Sequence, residues 1–511
     1  MLEYELDIAQ RLLDEREDVI FVRCHGAKAY CTANNPNPNQ AFSRVRCFEC
    51  KSRAKSGLEW LQTSGSRLLD APFLRPNEAQ QARLLEILAL FDGDYGTLAK
   101  PPTQLTDLEK ACWFAAISSL KTDFRDEKPV LRAVKTELRL RLVDALEGKY
   151  SAEQLIEKYS PKKIMVYNGR MSRWASVLTL ARLANIPCQV YEYPRYDLTK
   201  YLVLDGFVPQ DEAKLWNAGR QKFEAESSKR QAEMRDRALA WFEARRNYQV
   251  EGAQSRFLSK RLRKMEIGKS VSVEDPNRKH VAVFLSSAFE QNPFPKRRFR
   301  PDQFKMISKA AKALPEIVFI IRIHPVQPAS DRIFLREILS LEQLSNCRVI
   351  GPDSNVDSFA LGAACDVTVT FGSTIGLELA YQGSKVIECG GPSYATFRAA
   401  LHARTSAELV TLISNCLSSG SEITQEITQA ESSQSAVTAL AAQINFGVKA
   451  EYLTHGSGGE IVMSRREKLD RIEPTRFVRL VVLSSARWLR LARFLRGKAS
   501  ESFSVFRRIN A

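Results

Sequence analysis

The 511-residue sequence lacks any apolar run long enough to cross a bilayer, and its first residues lack a secretory pattern. A membrane-spanning helix needs about twenty mostly apolar residues, and no run here approaches that length. Residues 1–18 are acidic and follow a helical pattern, unlike a signal peptide. Together these absences predict a cytoplasmic protein.

Cysteine is sparse, with ten residues in the chain, and without a secretory pattern these do not indicate a disulfide scaffold. Four of them lie near the N-terminus: Cys24, Cys31, Cys47 and Cys50. The second pair has the C-x-x-C spacing of a zinc knuckle, whereas the spacing of the first pair is longer than structural zinc sites usually show. Two interpretations stay open: a structural zinc site on all four, or four reduced thiols that pack and line a loop.

Acidic residues are few at the C-terminus, where much of the net charge of +16 is concentrated. Residues 461–511 contain thirteen Lys or Arg and four Asp or Glu, so that 13 − 4 = +9 lies there. Along Arg476–Arg496, a helical wheel collects apolar side chains, including Trp488, on one face and arginines opposite. Such a helix suits an anionic bilayer surface. We therefore predict peripheral attachment of 476–496 to the inner face of the plasma membrane, the alternative being a helix that packs on the protein.

Stacking aromatics interleaved with basic residues, which a nucleic-acid binder would need, are also lacking. No nucleic-acid partner is therefore expected.

Between 277 and 391 the sequence alternates short apolar runs with amphipathic ones. Val- and Ile-rich runs of four to seven residues predict strands; the segments between them predict helices. This alternation indicates a parallel sheet with both faces covered. The fold class predicted is α/β, with two Rossmann-like doubly wound domains facing a cleft, a helical linker and a C-terminal amphipathic helix.

Two polar groups fall where strands of this region end, which is where open parallel sheets bind ligands. The first is Arg322 with His324 and Pro325, and the second is a strand–turn–helix that contains Gly372, Ser373 and Thr374. Backbone N–H groups at a helix N-terminus form a natural phosphate site. Glu378, about one turn into this helix, is predicted to accept hydrogen bonds from ribose hydroxyls. The alternative is an ordinary capped helix.

A second strand–helix–strand unit precedes this region, and polar residues stand at both of its strand ends. The first strand, 163–167, ends in Asn168, Gly169 and Arg170; the second, 187–191, ends at Glu192. We predict that these residues face an acceptor across the cleft, the alternative being loop capping and an ion pair.

These observations divide the chain into four predicted segments. They are an N-terminal Rossmann-like acceptor domain with the cysteine-bearing loop (1–209), a charged helical linker (210–275), a C-terminal Rossmann-like nucleotide-binding domain (276–445) and a basic amphipathic tail (446–511).

Taken in order, these stretches resemble bacterial capsular and surface-polysaccharide glycosyltransferases of the GT-B type. The stretches that carry the resemblance are the cysteine loop, the Asn168–Gly169–Arg170 turn with Glu192, Ser286 and Ser287 with Glu290, the His324–Pro325 pair, and Gly372–Ser373–Thr374 with Glu378. The acidic-acidic-glycine motif of sialyltransferases is missing.

The resemblance implies that His324 contacts the phosphate of a nucleotide-sugar donor, such as a CMP-linked sugar, and that Ser373 and Thr374 complete the phosphate site. It also implies donor contacts from Ser286, Ser287, Glu290, Arg322 and Pro325. Glu192 is our first choice for the base that activates a glycan or lipid-linked acceptor, and Glu290 is the second. No metal cofactor is required. Two other readings are a polyol-phosphate transferase of the CDP-glycerol type and a non-catalytic membrane-associated scaffold.

Overall fold

The computed structural model describes residues 2–28, 31, 44–63, 65–91, 101–118, 132–193, 196, 199–209, 211–247, 249, 277–286, 302–325, 327, 332–390, 393–418, 428–455, 461–465 and 468–470. The chain forms two compact units. The first comprises Met1–Ala89, Leu131–Ser160 and Lys449–Ala511, and the second comprises Leu90–Val130 and Pro161–Val448. The segment boundaries predicted at 209, 275 and 445 stay predictions, because compact units need not coincide with segments read from a sequence pattern.

The elements up to residue 246 are, in chain order, α1 (Leu2–Asp14), β1 (Val19–Arg23), α2 (Arg44–Trp60), β2 (Leu68–Pro72), α3 (Glu78–Leu90), α4 (Asp107–Ser118), α5 (Arg132–Tyr159), β3 (Ile164–Tyr167), α6 (Ser172–Leu183), β4 (Cys188–Glu192), β5 (Lys200–Asp205), α7 (Glu212–Glu224) and α8 (Ser228–Arg246). Between Glu78 and Tyr159 the described residues form three separate helices, α3, α4 and α5.

The remaining elements are β6 (His280–Phe284), α9 (Gln303–Ala313), β7 (Val318–Arg322), α10 (Arg332–Ser340), β8 (Cys347–Ile350), α11 (Ser358–Ala364), β9 (Val367–Thr370), α12 (Thr374–Tyr381), β10 (Val386–Cys389), β11 (Leu401–Ala403), α13 (Ser406–Leu417), α14 (Gln429–Ile444), β12 (Val448–Lys449), β13 (Leu453–His455), β14 (Ile461–Arg465) and β15 (Lys468–Asp470). Short 3-10 helices cover Leu341–Gln343 and Tyr394–Phe397. The predicted alternation of strands and helices after 277 is confirmed.

In the first unit, β1 and β2 pair in parallel, and β13, β14 and β15 form an antiparallel sheet. The Asp7 carboxylate in α1 accepts hydrogen bonds from the backbone N–H groups of Glu451 and Tyr452 at 2.9 and 2.7 Å. Lys28 and Asp144 form an ion pair whose two side chains are both buried. Buried charges need such partners, since an unpaired one costs several kcal/mol.

In the second unit, six strands form one parallel sheet in the order β8-β7-β6-β9-β10-β11. Counted from its first strand, this is the 3-2-1-4-5-6 order of doubly wound nucleotide-binding sheets. The chain builds one half outward from β6, then returns to place β9 on its other side. The α/β class predicted from the sequence is confirmed.

Both faces of this sheet are covered, which explains why its strands are mostly apolar on both faces. Val281 and Val283 of β6 pack on one face with Met306 of α9 and Ile413 of α13. Ala282 and Phe284 point to the other face, with helix residues Trp216, Phe242, Leu377 and Leu440. Strands buried on both faces read as continuous hydrophobic runs. Helices α7 and α8, predicted as a charged linker, therefore each contribute an apolar stripe to this core.

A four-stranded sheet of order β12-β5-β4-β3 completes the second unit. β3 and β4 are parallel and joined by α6, which confirms the predicted strand–helix–strand unit. β5 runs antiparallel to β4 and was not predicted from the sequence, although Tyr201, Leu202 and Leu204 are buried in it.

Candidate active site at the carboxyl edge of the six-stranded sheet

The candidate site lies where β6 and β9 end side by side, at the point where the direction of strand succession reverses. Ser286 follows β6, and its hydroxyl donates a hydrogen bond to the backbone oxygen of Phe371, which follows β9. The Gln303 side chain accepts from the backbone N–H of Ser286 at 3.1 Å and donates to its oxygen at 3.2 Å. Ser286 therefore ties the two strand ends together. The predicted donor residues Ser287 and Glu290 lie outside the described residues.

The turn from β9 into α12 presents partly exposed residues at this edge, from Gly372 to Ile375. Gly372 has φ = +75°, a backbone conformation that glycine adopts without strain. Ser373 precedes the helix, yet its side chain makes no capping hydrogen bond. The first N–H groups of a helix have no partner within the helix, and its N-terminus attracts anions. The turn thus combines a serine hydroxyl with an anion-attracting backbone.

Glu212, the first residue of α7, lies against the same turn. One of its carboxylate oxygens is 3.5 Å from the position that a Cβ on Gly372 would occupy. This carboxylate was not singled out in the sequence, because only the tertiary fold brings α7 to the end of β9. A negative charge beside Gly372 repels anions, so an anionic ligand group at this turn would bind on the Ser373 and Thr374 side, away from the carboxylate.

His324 and Pro325 follow β7, the neighbour of β6, and both are partly exposed at the same edge. Arg322 ends β7 but is buried, and its guanidinium donates to the backbone oxygens of Gly351 and Ser354, the latter at 3.0 Å. The sheet thus brings His324 to the edge that holds Ser286 and Ser373. Arg322 is thus hydrogen-bonded to the loop after β8, and its predicted role in donor binding stays a prediction.

Glu378, predicted to accept hydrogen bonds from ribose, is buried on α12 and paired with Arg245 of α8. An Arg245 nitrogen lies 3.1 Å from one carboxylate oxygen of Glu378, while the other oxygen has no hydrogen-bond partner. Burial raises the pKa of Glu378 above its ordinary value, although the charge and hydrogen bond of Arg245 lower it. A ribose contact would have to compete with this pair, and the predicted role is untested.

Glu388 is a buried carboxyl group at the end of β10 that the sequence analysis treated only as part of a strand. It accepts hydrogen bonds from the Ser393 hydroxyl and from the backbone N–H of Ala395, the latter at 3.1 Å. Burial raises its pKa to about 7, and the charge of Glu212 adds to that effect, while the two hydrogen bonds oppose it. A glutamate on an otherwise apolar buried strand is the signal by which the sequence could have marked it.

The residues predicted to face an acceptor lie together at the end of β3 and β4. The Asn168 amide donates a hydrogen bond to one oxygen of the Glu192 carboxylate, and the backbone N–H of Tyr193 donates to the other at 2.9 Å. Gly169 has φ = +64°, and a Cβ there would press on Leu178, Val190 and Val208. The backbone N–H of Arg170 lies 3.4 Å from the Asn168 side-chain oxygen. These residues therefore lie next to one another in the structure. Their role in binding an acceptor stays a prediction.

The four N-terminal cysteines lie in the first unit. Cys47 and Cys50 stand near the start of α2, and Cys24 follows β1. Burial is the main cause that raises the pKa values of Cys47 and Cys50, and in both the neighbouring thiols of Cys24 and Cys31 add to it. Within the described residues no group of three or more His, Cys, Asp or Glu side chains has metal-binding geometry. The zinc site therefore stays a prediction.

The basic tail, 476–496, lies outside the described residues. None of the helices in the described part of the chain is long and apolar enough to cross a bilayer. Attachment of the tail to a membrane surface stays a prediction.

The fold defines a doubly wound α/β protein, and the candidate site lies at the topological switch point of its six-stranded sheet. No family model and no curated protein matches the chain. Among solved structures, it is similar to two KpsC proteins of Thermosulfurimonas dismutans. The one described as a beta Kdo 2,4 transferase is 15% identical over 58% of this chain and 80% of the other, with a TM-score of 0.36.

The second, described as a beta Kdo 2,7 transferase, is 12% identical over 66% of this chain and 89% of the other, with a TM-score of 0.33. A glycotransferase of kitacinnamycin is 11% identical over 86% and 92%, with a TM-score of 0.24. Likenesses at this level assign no activity to this chain.

Proposed function

We propose that this protein is a glycosyltransferase that moves a sugar from a nucleotide-activated donor, in the first instance a CMP-linked one, to a growing capsular or surface polysaccharide. The observation that carries the proposal is the edge of the six-stranded sheet where β6 and β9 end side by side. Ser286, His324 and the Gly372–Ser373–Thr374 turn all lie at that edge, and doubly wound sheets bind nucleotides there.

In this proposal the donor phosphate binds on the Ser373 and Thr374 side of the turn. As the glycosidic bond breaks, its electron pair moves to the phosphate oxygen, so negative charge grows on the leaving nucleotide. Donors that are already in place and that meet this charge in the transition state accelerate the step. The N-terminus of α12, the Ser373 hydroxyl and the His324 side chain have the chemistry for this role, and no metal ion is needed for it.

The acceptor hydroxyl of a glycan or lipid-linked glycan supplies the oxygen of the new bond and must lose its proton. Glu192 is the proposed base. The hydrogen bonds from Asn168 and Tyr193 hold its carboxylate in one orientation. Each carboxylate oxygen has more than one lone pair, so it can still accept the hydroxyl proton.

The test is a thermal-shift screen of the full chain with CMP, CDP, UDP and GDP. A ligand that binds only the folded state at about 100 times its Kd adds about 2.7 kcal/mol to the free energy of unfolding. We expect CMP to raise the melting temperature. The variants Ser373→Ala and His324→Ala should reduce this rise, and His324→Ala should abolish sugar transfer with the fold intact.

The matched control is Ser418→Ala. Ser418 follows α13, and its hydroxyl donates to the Ser414 oxygen at 2.9 Å, so the variant also removes a serine hydroxyl at a helix end, at a residue to which no donor contact is assigned. It should respond to CMP as the wild type does. If no nucleotide stabilises the protein, the proposed activity is refuted. Stabilisation by CDP, with phosphorus appearing in the polymer product, would instead establish polyol-phosphate transfer.

A further inference from the structure

Tyr394, the first residue of the 3-10 helix after β10, bridges the two ends of the β9–α12 turn. Its side chain is buried. The hydroxyl lies 2.6 Å from the Thr370 hydroxyl, at the end of β9, and donates to the backbone oxygen of Ser373 at 3.1 Å. A tyrosine hydroxyl carries a single hydrogen. Since that hydrogen goes to Ser373, Thr370 must donate to the Tyr394 oxygen.

Helix α12 leaves room for the Tyr394 hydroxyl beside the turn. Gly376 lies in the first turn of α12, and a Cβ at that position would overlap the Tyr394 hydroxyl and approach the Thr370 side chain. Any larger residue at 376 would push the hydroxyl off the turn. The absent side chain therefore makes room for the bridge.

The other side of Tyr394 is held by the preceding strand. Glu388 at the end of β10 accepts hydrogen bonds from Ser393 and Ala395, the residues on either side of Tyr394. The Tyr394 ring also meets the Trp216 ring edge-on, with ring centroids 6.1 Å apart. The segment 393–395 that carries the Tyr394 hydroxyl is therefore held by its hydrogen bonds to Glu388.

We infer that Tyr394 is a positioning residue for the donor phosphate, because it holds Ser373 and the start of α12 in the arrangement that receives the phosphate. This inference rests on the proposed function. A phenylalanine ring would fill the same buried space, so what the hydroxyl adds is the hydrogen bond that it donates to Ser373. The Tyr394 hydroxyl donates to the backbone oxygen of Ser373, and the Ser373 side chain makes no capping hydrogen bond at the start of α12.

The test compares Tyr394→Phe with the wild type for binding of CMP and of cytidine, which has the same base and ribose without the phosphate. The variant keeps the ring and removes only the bridge. We expect it to weaken CMP binding about fivefold, which corresponds to the loss of roughly 1 kcal/mol, the usual net contribution of one hydrogen bond. Cytidine binding should be unchanged, because cytidine does not use the turn.

Tyr381→Phe is the matched control. Tyr381 ends the same helix, and its hydroxyl donates to Glu243 at 2.8 Å. Its ring stacks on Phe242, so this variant also keeps its ring and loses one hydrogen bond of α12. It should leave the affinities for both ligands unchanged. Thr370→Val, which removes the hydroxyl that donates to Tyr394, should weaken CMP binding less than Tyr394→Phe and again spare cytidine.

Equal weakening of CMP and cytidine binding in Tyr394→Phe would overturn the inference, because the tyrosine would then act on the whole site. Unchanged CMP binding in both Tyr394→Phe and Thr370→Val would overturn it as well. If the wild-type chain binds a different nucleotide, the pair becomes that nucleotide and its nucleoside. If the wild type binds none, the proposed function itself fails, which is a different result from a selective or uniform effect of the variants.

Discussion

The buried carboxyl group of Glu388 predicts that the folded protein loses stability as the pH rises through neutrality. Its pKa is about 7 in the fold, mainly because of burial, against an ordinary value of 4.5. Between these two values the folded state binds the proton and the unfolded state releases it. The free energy of unfolding therefore falls as the pH rises through this window, and the full effect of protonation is present only below about 4.5.

The size of the effect follows from the separation of the two pKa values. It is about two and a half units, and each unit corresponds to about 1.4 kcal/mol, so the loss amounts to roughly 3 to 4 kcal/mol across the whole window. Glu388→Gln should abolish this contribution. Glutamine has the same shape, and its oxygen can accept from Ala395 while its amide donates to Ser393.

The assay is chemical denaturation of the full chain at pH 5 and pH 8, for the wild type and Glu388→Gln. The wild type should lose about 2 to 3 kcal/mol more than the variant between the two pH values, somewhat less than the full effect because pH 5 lies above 4.5. Glu212→Gln is the second comparison. Because the Glu212 charge helps to raise the pKa of Glu388, this variant should show a smaller loss than the wild type. Equal pH dependence in the wild type and Glu388→Gln would refute the reasoning.

Two further predictions concern the parts of the chain outside the site. Deletion of 476–511 should release the protein from vesicles that contain anionic lipids, because the tail carries a basic amphipathic pattern. Binding to neutral vesicles should be unchanged. If binding to the anionic vesicles survives the deletion, the tail packs on the protein instead. Elemental analysis of the purified chain should find one zinc per molecule if the four N-terminal cysteines form a metal site, and Cys50→Ser should abolish it; a zinc-free, stably folded wild type would leave these cysteines as reduced thiols.

Much of the second unit was predictable from the sequence because its strands are buried on both faces. A run such as Val318–Arg322 is apolar at four of five positions and ends before a proline, so periodicity and composition mark it without knowledge of its neighbours. Because the carboxyl ends of parallel strands meet at one edge, the predicted strands also indicated that His324 and Ser373 lie at the same edge of the sheet. β5 was missed because it adds to its sheet as an antiparallel strand after a polar segment.

Local pattern thus determined the alternation of strands and helices and the polar residues at the strand ends. The tertiary structure decided the strand order, and with it which strand ends lie next to each other. It also buried Glu378 against Arg245, 133 residues away along the chain, and delivered Tyr394 to Ser373. Hydrophobic periodicity reports which face of an element is buried but not which partner covers it. Partners are selected only when the whole core packs and each buried polar group must find a hydrogen bond.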